Sequence, residues 1–156
     1  MSTLTVLEVS GKRAVAVAAR SAGQGVEIIR IDRAESGQGD PLRSTLEKIR
    51  IADARITLVI PRSKAILRDL DLPEGTPDEL VSMVRFQLEK ELPLPPDRVY
   101  ASFAVTSRSG GKVHIQTAAV PKEELDPILA AVEATGRKVG AAHVSTFGLG
   151  ALGRGE

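Results

Sequence analysis

The fold of this chain is decided by Thr76-Pro77-Asp78-Glu79 and by the run that closes the same stretch, Phe86-Gln87-Leu88-Glu89-Lys90-Glu91-Leu92-Pro93-Leu94-Pro95. Thr76 is predicted to cap a helix, because Pro77 fits its first position and Glu79 completes a capping box. Pro93 must end the helix, since proline lacks the backbone donor and restricts the residue before it. The main apolar stripe of this helix consists of Leu80, Val81, Val84, Leu88 and Leu92.

One strand precedes this helix and two strands follow it. Apolar and polar side chains alternate over residues 65–72, 99–106 and 113–119, as expected for half-buried strands. The turn Ser109-Gly110-Gly111 joins the last two strands. The sequence therefore predicts a compact strand–helix–strand–strand unit.

Further strands and helices flank this unit. A continuous apolar run at residues 56–60 is typical of a strand that is buried on both faces. One helix is predicted to have Asp40 as its cap and Pro41 at its first position, and another to open at Pro121 and end at Gly136. The other predicted strands are residues 3–9, 13–20, 26–31 and 139–145. The chain as a whole is predicted to be α/β.

Composition and charge exclude several classes of function. The 156 residues are 42% hydrophobic but only 3% aromatic, and the net charge of +1 would not concentrate nucleic acid or an anionic membrane. The chain has no cysteine, which excludes a disulfide framework and a thiol nucleophile. It shows no secretory signal and no apolar run of about 20 residues. We therefore expect a cytoplasmic protein that reaches a membrane only through a partner.

Several of these motifs together resemble the actin-like ATPases of the PilM family, type IV pilus assembly proteins related to the cell-division protein FtsA. The resemblance runs over most of residues 4–152. It implies a partial actin-like (RNase H-like) sheet, subdomain 1A, from residues 1–64 and 120–156. Residues 65–119 would form an inserted subdomain 1C of the SHS2 type. The matching motifs are Ile60-Pro61, Leu72-Pro73, Thr76-Pro77-Asp78-Glu79-Leu80, Val84-Arg85-Phe86, Glu89-Lys90-Glu91-Leu92-Pro93-Leu94-Pro95, Ala118-Ala119-Val120-Pro121-Lys122-Glu123 and Thr146-Phe147-Gly148-Leu149.

The same resemblance implies a cytoplasmic scaffold of type IV pilus or type II secretion-like assembly. Family members of this kind bind the cytoplasmic tail of an inner-membrane protein, here a PilN-like partner, and recruit other assembly components. Self-assembly into a homo-oligomer stays open, because actin-like relatives polymerise.

The chain departs from the family at the phosphate loop. That loop runs roughly Asp-Ile-Gly-Ser-Ser-Ser-Val-Lys, whereas this chain has Glu8-Val9-Ser10-Gly11-Lys12-Arg13-Ala14-Val15. Glu8, Ser10, Gly11 and Lys12 are candidates to hold a phosphate through turn amides and charge, and the alternative is an ordinary hairpin with solvated basic residues. An actin-like cleft also needs a second half to enclose a nucleotide. We therefore expect no enzyme activity and no cofactor, with ATP and Mg²⁺ bound only in a longer protein. The alternative function is the N-terminal half of an ATP-binding actin-like ATPase.

Phe86 is the strongest candidate for contact with a partner. It lies off the apolar stripe of its helix, so that a second surface is needed to cover it. That surface is either another part of this protein or a partner peptide. The candidate partner-binding residues are Met83, Arg85, Phe86, Glu89, Lys90 and Leu94.

Two other sets of side chains have weaker claims to a function. Asp69 and Asp71 share one face of a predicted strand, a pattern that favours a solvated face over a metal site or an acid–base pair. His114 and His143 lie on different strands, without a carboxylate at ligand spacing. We therefore expect no metal site and no catalytic residue.

Overall fold

The chain forms two compact units in a computed structural model that describes residues 3–23, 25–37, 39, 41–51 and 53–145. The first unit comprises the described residues up to Arg62 together with those from Asp126 onward, and the second comprises Ser63–Leu125. Their assignment to subdomains 1A and 1C stays a prediction. Two predicted features, the Asp40 cap and the motif Thr146-Phe147-Gly148-Leu149, lie outside the described residues.

The helices and strands follow the predicted order. In chain order they are β1 (Thr3–Ser10), β2 (Arg13–Ala22), β3 (Gly25–Glu35), α1 (Leu42–Glu47), β4 (Arg55–Ile60), β5 (Ile66–Pro73), α2 (Pro77–Glu91), β6 (Val99–Ser109), β7 (Lys112–Pro121), α3 (Lys122–Glu133) and β8 (Lys138–Val144), with 3-10 turns at Arg62–Lys64 and Pro96–Arg98.

A five-stranded mixed sheet forms the first unit, in the order β3-β2-β1-β4-β8. β2 runs antiparallel to β1 and β3, whereas β4 lies parallel to both β1 and β8. Both crossovers, from β3 to β4 and from β4 to β8, proceed in the same direction across the sheet. Because such crossovers are right-handed, their helices lie on the same face. The arrangement confirms the predicted α/β fold with a partial actin-like sheet.

One-sided coverage explains why β4 differs from its prediction. Ile56, Leu58 and Ile60 are buried, but Thr57 and Val59 on the other face are only half-buried. Among the described residues the strand is therefore not buried on both faces, because the crossover helices cover only one of them.

Two helix starts also differ from the prediction. Pro41 is the N-cap residue of α1, with extended backbone at φ −68° and ψ 147°, and not its first helical residue. Its carbonyl oxygen accepts hydrogen bonds from Ser44 N at 3.0 Å and Ser44 Oγ at 2.8 Å. Pro121 is the last residue of β7, where it pairs with Val99, so α3 begins at Lys122. Both prolines thus occupy extended backbone immediately before a helix.

The second unit is a three-stranded antiparallel sheet in the order β5-β7-β6, with α2 packed against one face. It forms the strand–helix–strand–strand arrangement that the sequence predicts. Its buried core consists of Leu70, Leu72, Leu80, Val84, Leu88, Leu92, Val99, Val113, Ile115 and Ala119.

The start of α2 is the predicted capping box. Thr76 Oγ1 accepts a hydrogen bond from Glu79 N at 3.4 Å, and Glu79 Oε2 accepts one from Thr76 N at 2.7 Å. The backbone N–H of Thr76, and secondarily its hydroxyl, hold the pKa of the Glu79 carboxyl below its ordinary value of 4.5. The box satisfies backbone donors that a helix start otherwise leaves to water.

Replacing Thr76 with alanine is expected to lower the free energy of unfolding by about 1 kcal/mol, because Glu79 N loses its acceptor. Urea unfolding near neutral pH measures this loss. Ser82→Ala, which removes an exposed hydroxyl bonded to Asp78 O on the same helix, is the matched control and should change stability little. Equal losses in the two variants would contradict a stabilising role for the cap.

The stability lost in Thr76→Ala is expected to depend on pH. A carboxyl whose pKa is lowered by folding contributes stability above its ordinary pKa of 4.5, and this contribution is lost as the pH falls through the lowered folded value. The difference between the native chain and Thr76→Ala should therefore shrink in acid. In an NMR titration, the pKa of Glu79 should rise toward its ordinary value in the variant.

Candidate protein-docking site

An apolar groove of about 360 Å³ runs between α2 and β6 in the second unit. The helix contributes the side chains of Val81, Leu88 and Leu92 to its walls. The strand contributes Val99 and Phe103, together with the small side chain of Ala101. The groove is open to solvent, so an apolar segment can enter it without unfolding the unit.

The position of Val81 differs from its prediction. The sequence assigns Val81 to the buried stripe of α2, but the structure leaves it 52% exposed. The sheet under α2 has only three strands with β6 at its edge, and Val81 lines the groove together with residues of β6. The side chain therefore lines the groove and does not belong to the core.

β6 is an edge strand. One side of its backbone pairs with β7, and no strand among the described residues pairs with the other side. An unpaired strand edge presents N–H and C=O groups that another extended segment can bind. The groove thus combines apolar walls with a free backbone edge.

Two charged groups line the groove. Arg85 comes from α2, its side chain is 75% exposed, and its Nε lies 3.3 Å from Glu89 Oε1. Asp97 comes from the 3-10 turn before β6. A cation and an anion therefore accompany an otherwise apolar surface.

Phe86 does not line this groove. It follows Val81 by five residues, which places it about 140° further around the helix axis. The ring is 55% exposed, and Lys90 Nζ lies 4.0 Å from its centroid in a cation–π contact. Phe86 and Lys90 therefore form a second, smaller surface on α2.

The six candidate partner-binding residues lie in three different parts of the second unit. Arg85 lines the groove and is paired with Glu89, whereas Phe86 and Lys90 lie away from it. Met83 and Leu94 are half-buried against the core of the second unit. Their joint role in binding a partner stays a prediction.

The candidate phosphate-binding residues lie along a tight hairpin. Ser10 and Arg13 pair across β1 and β2, so that the turn consists of Gly11, with φ +58°, and Lys12. The carbonyl oxygen of Lys12 accepts hydrogen bonds from Ser36 N at 2.8 Å and Ser36 Oγ at 3.0 Å. Glu8 is half-buried on β1. Phosphate binding at these residues stays a prediction.

Asp69 and Asp71 are engaged by their neighbours on β7. Asp71 pairs with His114, and Asp69 Oδ1 accepts a hydrogen bond from Gln116 Nε2 at 3.1 Å. His143 lies on β8, in the sheet of the first unit. No cluster of three or more potential metal ligands occurs within the described ranges. Nor is any helix there long and apolar enough to cross a bilayer.

A protein-family comparison covers most of this chain. The model of type II secretion system (T2SS) protein L matches residues 22–151 of this chain. No curated protein matches the chain.

Solved structures with a similar fold include two from pilus and secretion systems. A chain of the PilM-PilN type IV pilus biogenesis complex aligns with a TM-score of 0.77 and 20% identity, over 96% of this chain and 49% of that one. The cytoplasmic domain of EpsL, an inner membrane component of the type II secretion system of Vibrio cholerae, aligns with a TM-score of 0.64 and 20% identity, over 90% and 57%. This chain therefore spans about half the length of the solved chains.

The exposure of Phe86 leads to a prediction about stability. Phe86→Ala should change the free energy of unfolding by no more than about 0.5 kcal/mol, because the ring is largely exposed. Leu88→Ala, two residues further along α2 in the core, should cost about 2–5 kcal/mol. Denaturant unfolding of the two variants provides the comparison. A Phe86→Ala loss as large as that of Leu88→Ala would show that another part of the protein covers the ring.

Proposed function

The chain belongs to the type II secretion system protein L family, and from this membership we propose that it is a cytoplasmic scaffold that binds the cytoplasmic tail of an inner-membrane partner. The scaffold would lie at the inner membrane through that partner, since its own net charge of +1 gives no attraction to anionic lipid. Its role would be to hold components of the secretion or pilus assembly machinery together.

The groove between α2 and β6 is the observation that carries this proposal. Apolar surface and a free strand edge favour a peptide that binds in extended form and adds a strand to the sheet. Backbone hydrogen bonds to β6 would supply affinity. Alternate side chains of the peptide would enter the groove beside Val81 and Phe103, because successive side chains of a strand point to opposite faces.

The charged groups of the groove suggest the chemistry of the tail. Such a segment would be mainly apolar at alternate positions, with an acidic group near Arg85 and a basic group near Asp97. Glu89 already pairs with Arg85, so that a carboxylate of the tail would compete with it. The charges would then set the direction and register of the peptide more than its affinity.

The fold of this chain is similar to that of one chain of the PilM-PilN type IV pilus biogenesis complex. This similarity supports a role in an assembly machinery but does not by itself identify the partner. A PilN-like tail is therefore the partner that we propose to test first. For ATP with Mg²⁺, we propose binding only in a longer protein.

Calorimetry with a tail peptide tests the proposed groove. The peptide is copied from the cytoplasmic tail of an inner-membrane assembly protein of the same organism, and a scrambled version serves as the control. Val81→Asp should weaken binding about tenfold or more, which corresponds to about 1.4 kcal/mol. Val81 is largely exposed, so this variant should keep its fold, and circular dichroism verifies that.

Phe86→Ala separates the two surfaces of α2. If the tail binds in the groove, this variant should retain the native affinity, because Phe86 does not line the groove. Loss of binding by Phe86→Ala together with unchanged binding by Val81→Asp would instead assign the tail to the surface of Phe86 and Lys90. Absence of binding by the native chain would contradict the proposed function.

A further inference from the structure

The strand wall of the groove between α2 and β6 contains one small side chain. Every second residue of β6 points toward α2, because each of these residues pairs with a residue on the same face of β7. They are Val99, Ala101, Phe103 and Val105. The other three have larger side chains, whereas that of Ala101 ends at its Cβ. A recess therefore lies at Ala101, between Val99 and Phe103.

Exposure shows that α2 does not fill this recess. Val99 is buried and Phe103 is half-buried against the core of the second unit, whereas Ala101 between them is exposed. The partner of Ala101 across the sheet is Ala119, which is fully buried. Two alanines thus lie side by side, and the recess reaches the boundary of the core.

The wall opposite the recess comes from the second half of α2. A short connection joins the end of α2 to β6, so that Leu92 and Val99 lie at one end of the groove. Val81 and Phe103 lie toward the other end. Leu88 comes between Val81 and Leu92 on the helix, and its side chain also lines the groove. The recess is therefore bounded by apolar groups of both the helix and the strand.

This lining favours an apolar occupant over a polar one. The side chains of Leu88, Val99, Ala101 and Ala119 carry no polar atom. A polar group placed among them would lose its water without gaining a hydrogen bond from these side chains. A large aliphatic group would instead remove its own surface and that of the walls from water.

We propose that Ala101 determines the specificity of the groove, because its recess accepts one large aliphatic side chain of the bound tail. This inference rests on the proposed function, since the side chain belongs to the tail of the inner-membrane partner. Side chains of a strand alternate, so the tail residues two positions before and after this anchor would lie beside Val99 and Phe103. One anchor in a central pocket then supplies most of the affinity, as is common at protein interfaces.

Calorimetry with the tail peptide and a variant that fills the recess tests the proposal. Ala101→Leu should weaken binding about tenfold or more, because the anchor can no longer be buried. Ala104→Leu is the matched control, since Ala104 is an exposed alanine of β6 that pairs with Gln116 on the opposite face of the sheet. It should leave the affinity unchanged. Thermal unfolding verifies that both variants are folded.

An exchange of size between groove and peptide identifies the anchor. Alanine substitution of each large aliphatic residue of the tail should find one position at which truncation weakens binding to the native chain about tenfold or more. The same truncated peptide should bind Ala101→Leu more tightly than the unaltered peptide does, because the new leucine takes the place of the anchor. If no truncated peptide binds Ala101→Leu more tightly than the unaltered one, the recess does not hold a side chain of the tail.

The outcomes distinguish this inference from the proposed function. Binding that Val81→Asp weakens and Ala101→Leu leaves unchanged would overturn the role of the recess while supporting the groove. Equal weakening by Ala101→Leu and Ala104→Leu would also overturn it. Absence of binding by the native chain would contradict the proposed function, and this inference with it.

Discussion

The apolar stripe of α2 is the interaction on which the second unit depends. Leu80, Val84 and Leu88 recur at helical spacing and bury themselves against β5, β7 and β6, while the capping box and the proline run fix where the helix begins and ends. Once this stripe is buried, the directions in which the other side chains of the helix point are fixed. Val81 must lie over the sheet edge, and Phe86 must lie away from it. The groove is thus a consequence of packing a helix on a sheet of only three strands.

Sequence patterns predicted most of the fold because its signals are local. Alternation located the strands, and the Thr76–Glu79 box located the start of α2. Two of the misplaced details, Val81 and β4, share one cause: they depend on what lies across from a residue. Val81 has the spacing of a core residue, and the run at β4 has the composition of a strand buried on both faces, but neither pattern reveals how far the neighbouring layer extends.

The candidate site was less predictable for the same reason. Arg85 was found from the sequence, whereas Val81, Ala101 and Phe103 were not, since a groove between a helix and an edge strand requires the strand order β5-β7-β6. The sequence showed the alternation of apolar and polar residues in β6, but it did not show that this strand lies at the edge of the sheet. Phe86 could be singled out from the sequence because it is an aromatic residue outside the apolar stripe of its helix. In the structure its ring makes a cation–π contact with Lys90.

The groove beside α2 lies at the edge strand of the three-stranded sheet, and the tail of an inner-membrane protein is its proposed occupant. Hydrogen–deuterium exchange of the chain with and without the tail peptide tests the docking groove most directly. An added strand should slow exchange at the backbone amides of β6, near Ala101 and Phe103, because it pairs with their free edge. Unchanged exchange along β6, with slowing confined to the helix around Phe86, would contradict docking in the groove.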